Sequence, residues 1–301
     1  MKKSRKIWVG VGAFILAGSG ASQLSASPLS TAAQNDTSVT SPADLRDQTV
    51  ASGVTYRQQF AQAWTTGAGG EGGEGGEGGE GGEGGINIEN AAKDPVEYSV
   101  ALQVIAAHYH AGLAAYEAKE QEAGAQMFAH GLSEIYFPME DVFKKFGIND
   151  LGKKLEDAVS VANEKKPAAE VKRRVSAVLA ALAAAEKVAP KSSVSQQAVK
   201  AHVAAEMIDR AAAQFSVIQK DNNLEAYLDG LGFAVAARDQ ARTVLPWLRK
   251  IDPKKEKALQ RGLTLVSQAY PGIKRPAKSK VSEADLLAAA SAAKLAVSGL
   301  Q

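Results

Sequence analysis

Residues 94–117 read DPVEYSVALQVIAAHYHAGLAAYE, and this stretch decides the fold. Asp94, Pro95 and Glu97 give it the cap, proline and acid that are typical of a helix N-terminus. Its apolar residues then recur with a period close to 3.6, which predicts a helix as far as about residue 121. His108 falls in the middle of the apolar face, whereas His110 points elsewhere. A histidine at a core position makes this helix the first place to look for a functional site.

The rest of the chain repeats the helical pattern and predicts an all-α protein, a multi-helix bundle of about eight or nine helices. Alanine is abundant and aromatic residues make up only 6% of the chain, which favours helix because alanine loses no side-chain entropy there. The main core is expected over residues 94–271. A basic connector and a C-terminal helix, residues 272–301, either dock on this core or stay loose. The predicted helices of the bundle and its C-terminal extension cover residues 94–121, 123–136, 150–163, 167–188, 193–220, 224–249, 252–270 and 282–298.

The N-terminus has the order of a secretory signal peptide, assigned to residues 1–26. Four basic residues precede an apolar run, and small residues follow around Ala21 and Ala26, either of which is a candidate cleavage site. The apolar run is short for a membrane span, so an uncleaved anchor is the weaker alternative. We expect a periplasmic or secreted protein with no stable membrane span after cleavage.

Two segments separate the signal peptide from the bundle. Residues 27–66 are predicted to form a flexible entry and a helix that starts near Ser41. Residues 67–93 form a low-complexity linker with five Gly-Gly-Glu units, whose glycine content predicts disorder. The linker is interpreted as a flexible acidic spacer. The alternative is that its carboxylates bind hard cations weakly.

Charge and cysteine content exclude several classes of function. The chain carries a net charge of +2, and residues 1–26 hold four basic residues and no acidic ones, which leaves about −2 for the remainder. A nearly neutral chain gives no electrostatic reason to expect nucleic acid as a partner. The chain has no cysteine, which excludes disulfides, thiolate metal sites and a cysteine nucleophile.

Two predicted helices carry a histidine and a carboxylate four residues apart. His130 precedes Glu134, and His202 precedes Glu206, with Asp209 following on the same helix. Residues at this spacing lie on one face of a helix, one turn apart. Imidazole nitrogens and carboxylate oxygens are common ligands of iron, zinc and copper, and bundles build metal sites from facing helices. We therefore predict one metal site from these residues.

The full predicted ligand set adds one residue from the first helix of the bundle. His108 is placed to complete the site from its own helix. The alternative is that the histidine and glutamate pairs are structural polar pairs without a ligand. A di-iron type oxidase is a third hypothesis, but it needs more inward-facing carboxylates than the pattern supplies. The predicted ligands are His108, His130, Glu134, His202, Glu206 and Asp209.

A secreted, all-helical chain with His/Glu pairs resembles the imelysin-like periplasmic proteins associated with iron uptake. That family is recognised by a His-x-x-Glu motif, and the pairs starting at His130 and His202 are each one residue longer. The resemblance covers about residues 94–250. It implies iron-linked periplasmic binding without catalysis. The imidazole and carboxylate ligands make copper, zinc and haem the further candidates after iron.

A second, weaker resemblance concerns a single helical hairpin. Gly112, Tyr116 and Phe128 resemble one tetratricopeptide-like hairpin, although no copy follows at a 34-residue period. This resemblance implies the alternative function, a non-catalytic helical scaffold of the cell envelope with a protein partner.

Overall fold

The computed structural model of the chain describes residues 85–301, and every regular element in this range is helical. The all-α prediction is therefore confirmed for the described part of the chain. The predicted signal peptide, the helix near Ser41 and most of the Gly-Gly-Glu linker lie outside the described residues. The helices are α1 (Ile88–Ala91), α2 (Pro95–Glu117), α3 (Gln121–His130), α4 (Phe137–Lys145), α5 (Leu151–Asn163), α6 (Ala168–Ala185), α7 (Gln196–Lys220), α8 (Leu224–Ile251), α9 (Pro253–Ala269) and α10 (Glu283–Val297).

Helix α2 is the centre of the bundle, and it starts where the sequence predicts. The Asp94 side chain accepts a hydrogen bond from the Val96 amide, and Pro95 occupies the first turn, where no amide donor is needed. Helix α2 packs against α3, α6, α7 and α8. Because neighbours surround it, 17 of its 23 residues are buried, and His108 is among them.

Helix α3 continues into α4 without a loop, through a π-helical segment at Gly131–Tyr136. The sequence predicts that Pro138 either ends or restarts a helix here, and the structure shows the second outcome, with this proline in the first turn of α4. A π-helical turn inserted between α-helices is rare and occurs frequently at functional sites. Here it directly follows His130 and contains Glu134.

Helices α2 and α3 approach each other closely because both carry glycine at the crossing. A Cβ atom added to Gly112 would meet the Phe128 ring at 2.5 Å and the Gly124 carbonyl oxygen at 2.9 Å. Gly112 thus makes room for an aromatic side chain and for the backbone of the partner helix. This close packing fixes the helix that bears His130 against the helix that bears His108.

The C-terminal helix docks on the bundle, which resolves the two alternatives left by the sequence. Helix α10 packs against α7 and α9 and buries Leu286, Ala290 and Val297. Ser282 caps its N-terminus by accepting a hydrogen bond from the Asp285 amide. Among the described residues, no helix combines the length and apolar character that crossing a membrane requires.

Candidate metal centre

Three of the predicted ligands converge at one point between α2 and the α3–α4 connection. Each of His108, His130 and Glu134 offers a ligand atom, and these atoms all lie within 4.8 Å of one another. Ligands about 2.1 Å from one ion lie about 3.0 to 4.2 Å apart, depending on the coordination geometry. The three side chains are therefore close to the spacing that a single metal ion requires.

The ring of His108 is held in one orientation by its own helix. Its Nδ1 atom lies 2.8 Å from the Val104 carbonyl oxygen, which can only accept a hydrogen bond. Nδ1 therefore carries the proton, and Nε2 presents a lone pair to the cluster. Metal-bound histidines typically use a backbone carbonyl in this way to fix the ring and its tautomer.

Helix α8 supplies two carboxylates that the sequence analysis did not select. Asp229 Oδ1 lies 3.4 Å from His108 Nε2, and Glu225 Oε1 lies 3.3 Å from His130 Nδ1. Glu134 Oε1 approaches the same His130 Nδ1 atom at 3.6 Å. The cluster thus contains two imidazoles and three carboxylates from three parts of the chain.

The sequence does contain a signal for the two residues of α8. Glu225 and Asp229 are four residues apart near the start of the helix, the same spacing that drew attention to His130 and Glu134. Asp229 is also the single charged residue between Ala226 and Ala237. A lone carboxylate in such an apolar stretch is costly to bury and marks a candidate site.

A glycine on α8 permits the close approach that brings these carboxylates to α2. A Cβ atom added to Gly232 would collide with the carbonyl oxygen of Ala107, the residue that precedes His108. The backbones of α2 and α8 are therefore in direct contact one turn from Asp229. Helix α8 itself begins regularly, since the Asn223 side chain accepts hydrogen bonds from the Glu225 and Ala226 amides.

Burial makes the facing pair His108 and Asp229 electrostatically unusual. Burial lowers the pKa of His108 to about 4, an effect that the hydrogen bond to Val104 opposes in part. Burial, together with the negative charges of Glu225 and Glu134, raises the pKa of Asp229 to about 7. At neutral pH the imidazole is neutral, so the pair is not a salt bridge between an imidazolium and a carboxylate.

No hydrogen bond joins His108 and Asp229 in the described structure, although their facing atoms are 3.4 Å apart. The His108 Nε2 lone pair faces Asp229 Oδ1, and no described group donates a hydrogen bond to this buried oxygen. Two lone pairs at this distance repel each other unless a proton or a cation lies between them. The arrangement therefore fits a metal ion bound between the two atoms. When no ion is bound, a proton on Asp229 can take its place.

The other three predicted ligands do not join this cluster. His202 Nε2 lies 3.3 Å from the Leu300 carbonyl oxygen, to which it can donate a hydrogen bond. Glu206 pairs with Arg210 and Lys294, and Asp209 pairs with the same lysine. These side chains lie on the part of α7 that faces α10, whereas the metal cluster lies between α2, the α3–α4 connection and α8.

Two neighbouring cations also make the α7 group a poor metal site. Arg210 Nε lies 3.4 Å from Glu206 Oε1, and Lys294 Nζ lies 3.1 Å from Glu206 Oε2 and 2.9 Å from Asp209 Oδ2. A metal ion would have to displace these cations and would be repelled by them. His202, Glu206 and Lys294 instead line a cavity of about 580 Å³ beside α10.

The remaining histidine, His110, lies outside the cluster. Its Nε2 atom is 3.9 Å from Asp239 Oδ2, a second contact between α2 and α8. Comparisons with protein-family models, with curated proteins and with solved structures each found no match. The geometry of the cluster at His108 therefore carries the functional interpretation.

Proposed function

We propose that this protein binds a transition-metal ion, iron first, through His108, His130 and Glu134. The observation that supports this most directly is the convergence of their three ligand atoms within 4.8 Å. Imidazole together with carboxylate suits iron, manganese, zinc and copper, while calcium and magnesium prefer oxygen ligands alone. Copper and zinc are the next candidates after iron.

The donor arrangement favours a bare ion over haem. The ligand atoms come from different elements and surround one small volume, which is the arrangement that a single ion requires. A haem group would be bound by axial ligands above and below a flat macrocycle. In the described site, the close contacts between imidazoles and carboxylates leave haem as the weaker candidate.

We also propose that the role is binding rather than catalysis, in the periplasm or outside the cell. The signal-peptide pattern of residues 1–26 supports the location. The resemblance to imelysin-like proteins supports iron-linked binding without an enzymatic step. In this role the protein would hold an ion outside the cytoplasm and pass it to, or receive it from, another component of the envelope.

Metal binding by the purified full chain tests the proposal. The chain is stripped with a chelator, equilibrated with Fe²⁺ without oxygen or with Zn²⁺, and its metal content is measured by mass spectrometry. The wild type is expected to bind one ion per chain. The His130→Ala variant should bind none, whereas the His110→Ala variant, the matched control on α2, should still bind one. Absence of stoichiometric metal in the wild type would contradict the proposal and favour the scaffold hypothesis with structural His/Glu pairs.

A further inference from the structure

The two carboxylates of α8 have different environments within the metal centre. Asp229 is 15% exposed, Glu134 21% and His130 24%, whereas Glu225 is 56% exposed. His108 is the most buried member at 5%. The cluster therefore has a closed end at His108 and Asp229 and an open end at Glu225.

We infer that α8 completes the metal centre, with Asp229 as a ligand at its buried end and Glu225 as the ligand through which the ion enters. This inference rests on the proposed metal binding, and it assigns two residues and a direction of entry to the site. It adds the two carboxylates of α8 to the three side chains whose ligand atoms lie within 4.8 Å of one another, a group that does not itself include Asp229 or Glu225.

Distance and an unsatisfied oxygen support Asp229 as a ligand. The separation of 3.4 Å between Asp229 Oδ1 and His108 Nε2 lies within the range of about 3.0 to 4.2 Å expected between two ligands of one ion with bonds of about 2.1 Å. The same oxygen accepts no hydrogen bond in the described structure, although buried carboxylates normally do. A metal ion would satisfy this oxygen and the His108 lone pair together.

Exposure and position support Glu225 as the entry ligand. It lies in the first turn of α8, and its carboxylate reaches His130 Nδ1 at 3.3 Å from the solvent side. A side chain that is both solvated and within reach of the cluster can contact an arriving cation before the cation loses its water. Its negative charge also attracts cations toward the opening.

The composition of the full set narrows the class of ion. Two neutral imidazoles and three carboxylates carry three negative charges when all the carboxylates are ionised. Such a set holds a doubly or triply charged metal ion with little net charge left in a half-buried site. Monovalent copper, which prefers sulfur ligands, is the least suited of the candidate metals.

Affinity measurements on Asp229→Asn test the buried ligand. The dissociation constant for Zn²⁺ is measured by competition with a chelating dye, and Asp239→Asn is the control because Asp239 also connects α8 to a histidine of α2. We expect Asp229→Asn to weaken binding at least tenfold and the control to change it less than twofold. The absorption of bound Co²⁺ should also change in Asp229→Asn, which a purely structural role would not cause.

Loading kinetics test the entry ligand. Stopped-flow mixing of the metal-free full chain with Zn²⁺ should show slower association for Glu225→Gln than for the wild type, with Asp239→Asn unchanged. Unchanged association in Glu225→Gln would overturn its entry role.

The possible outcomes separate the inference from the proposed function. A loss of affinity below tenfold in Asp229→Asn, with stoichiometric binding by the wild type, would overturn Asp229 as a ligand and leave the proposed function intact. Absence of binding by the wild type would overturn both. Far-UV circular dichroism of each variant establishes that it is folded.

Discussion

Asp229→Asn should stabilise the metal-free protein at high pH. Burial and two neighbouring carboxylates raise the pKa of Asp229 from 3.8 to about 7, so the folded state holds its proton over a range where the unfolded state has lost it. Each pKa unit corresponds to about 1.4 kcal/mol, which gives an effect of about 4 kcal/mol. The amide of asparagine has a similar shape, carries no charge, and can donate a hydrogen bond to His108 Nε2.

The sign of the pH dependence follows from which state binds more protons. The folded state binds the Asp229 proton more tightly than the unfolded state does. Proton binding therefore contributes to the free energy of unfolding in full below pH 4, and this contribution is lost as the pH rises through 7. His108 acts in the opposite direction, because burial lowers its pKa from 6.5 to about 4 and its contribution is lost on acidification. Since both proteins retain His108, the difference between Asp229→Asn and wild type isolates the carboxylate. The free energy of unfolding of Asp229→Asn, relative to that of the wild type, should rise by about 4 kcal/mol between pH 4 and pH 8.

Urea denaturation followed by far-UV circular dichroism, in buffer containing a chelator, measures this difference. Asp239→Asn is again the matched control, because Asp239 faces a histidine of α2 in a more exposed position. A difference that stays within 1 kcal/mol between pH 4 and pH 8 would refute the reasoning, because it would mean that Asp229 is solvated or paired in the folded state. The predicted outcome would also show that the site costs stability when no ion is bound.

Two further predictions concern how the site is positioned and what lies outside it. Gly232→Ala should push α8 away from the Ala107 carbonyl oxygen, lowering Zn²⁺ affinity at least tenfold and stability by about 1–3 kcal/mol, measured by dye competition and urea denaturation. Gly272→Ala is its control, since an added Cβ there meets nothing within 4 Å, and equal losses in both variants would contradict the prediction. Lys294→Ala should change stability by less than about 1 kcal/mol and leave Zn²⁺ affinity unchanged, because its partly exposed ion pairs join α10 to α7, away from the metal cluster. Weaker metal binding in that variant would mean that the charged group on α7 contributes to the site.

Local patterns in the sequence predict the helices and half of the metal centre. The periodicity of α2 places His108 on the core face, and the structure confirms its burial. The spacing of His130 and Glu134 predicts that they share a face, and they do, although a π-helical segment rather than an α-helix holds the glutamate. Both features depend on residues that are near one another in the chain.

The same patterns do not predict which other helix faces His108, His130 and Glu134. His202 and Glu206 have the same spacing as His130 and Glu134, but α7 turns them toward α10 and its lysine. Spacing along a helix fixes which residues share a face, and it carries no information on which helix that face meets. Asp229 lies in the site because glycine lets α8 pass close to α2, a long-range contact that a repeated motif does not encode.

The most direct test of the metal centre compares metal content in two single variants, His130→Ala and His202→Ala. The two histidines have the same sequence context, with a glutamate four residues later, but only His130 lies in the cluster with His108. After equilibration with Zn²⁺ and removal of free metal, His202→Ala should retain one ion per chain, as the wild type does, and His130→Ala should retain none. Equal metal content in the two variants would contradict a site built on His108, His130 and Glu134.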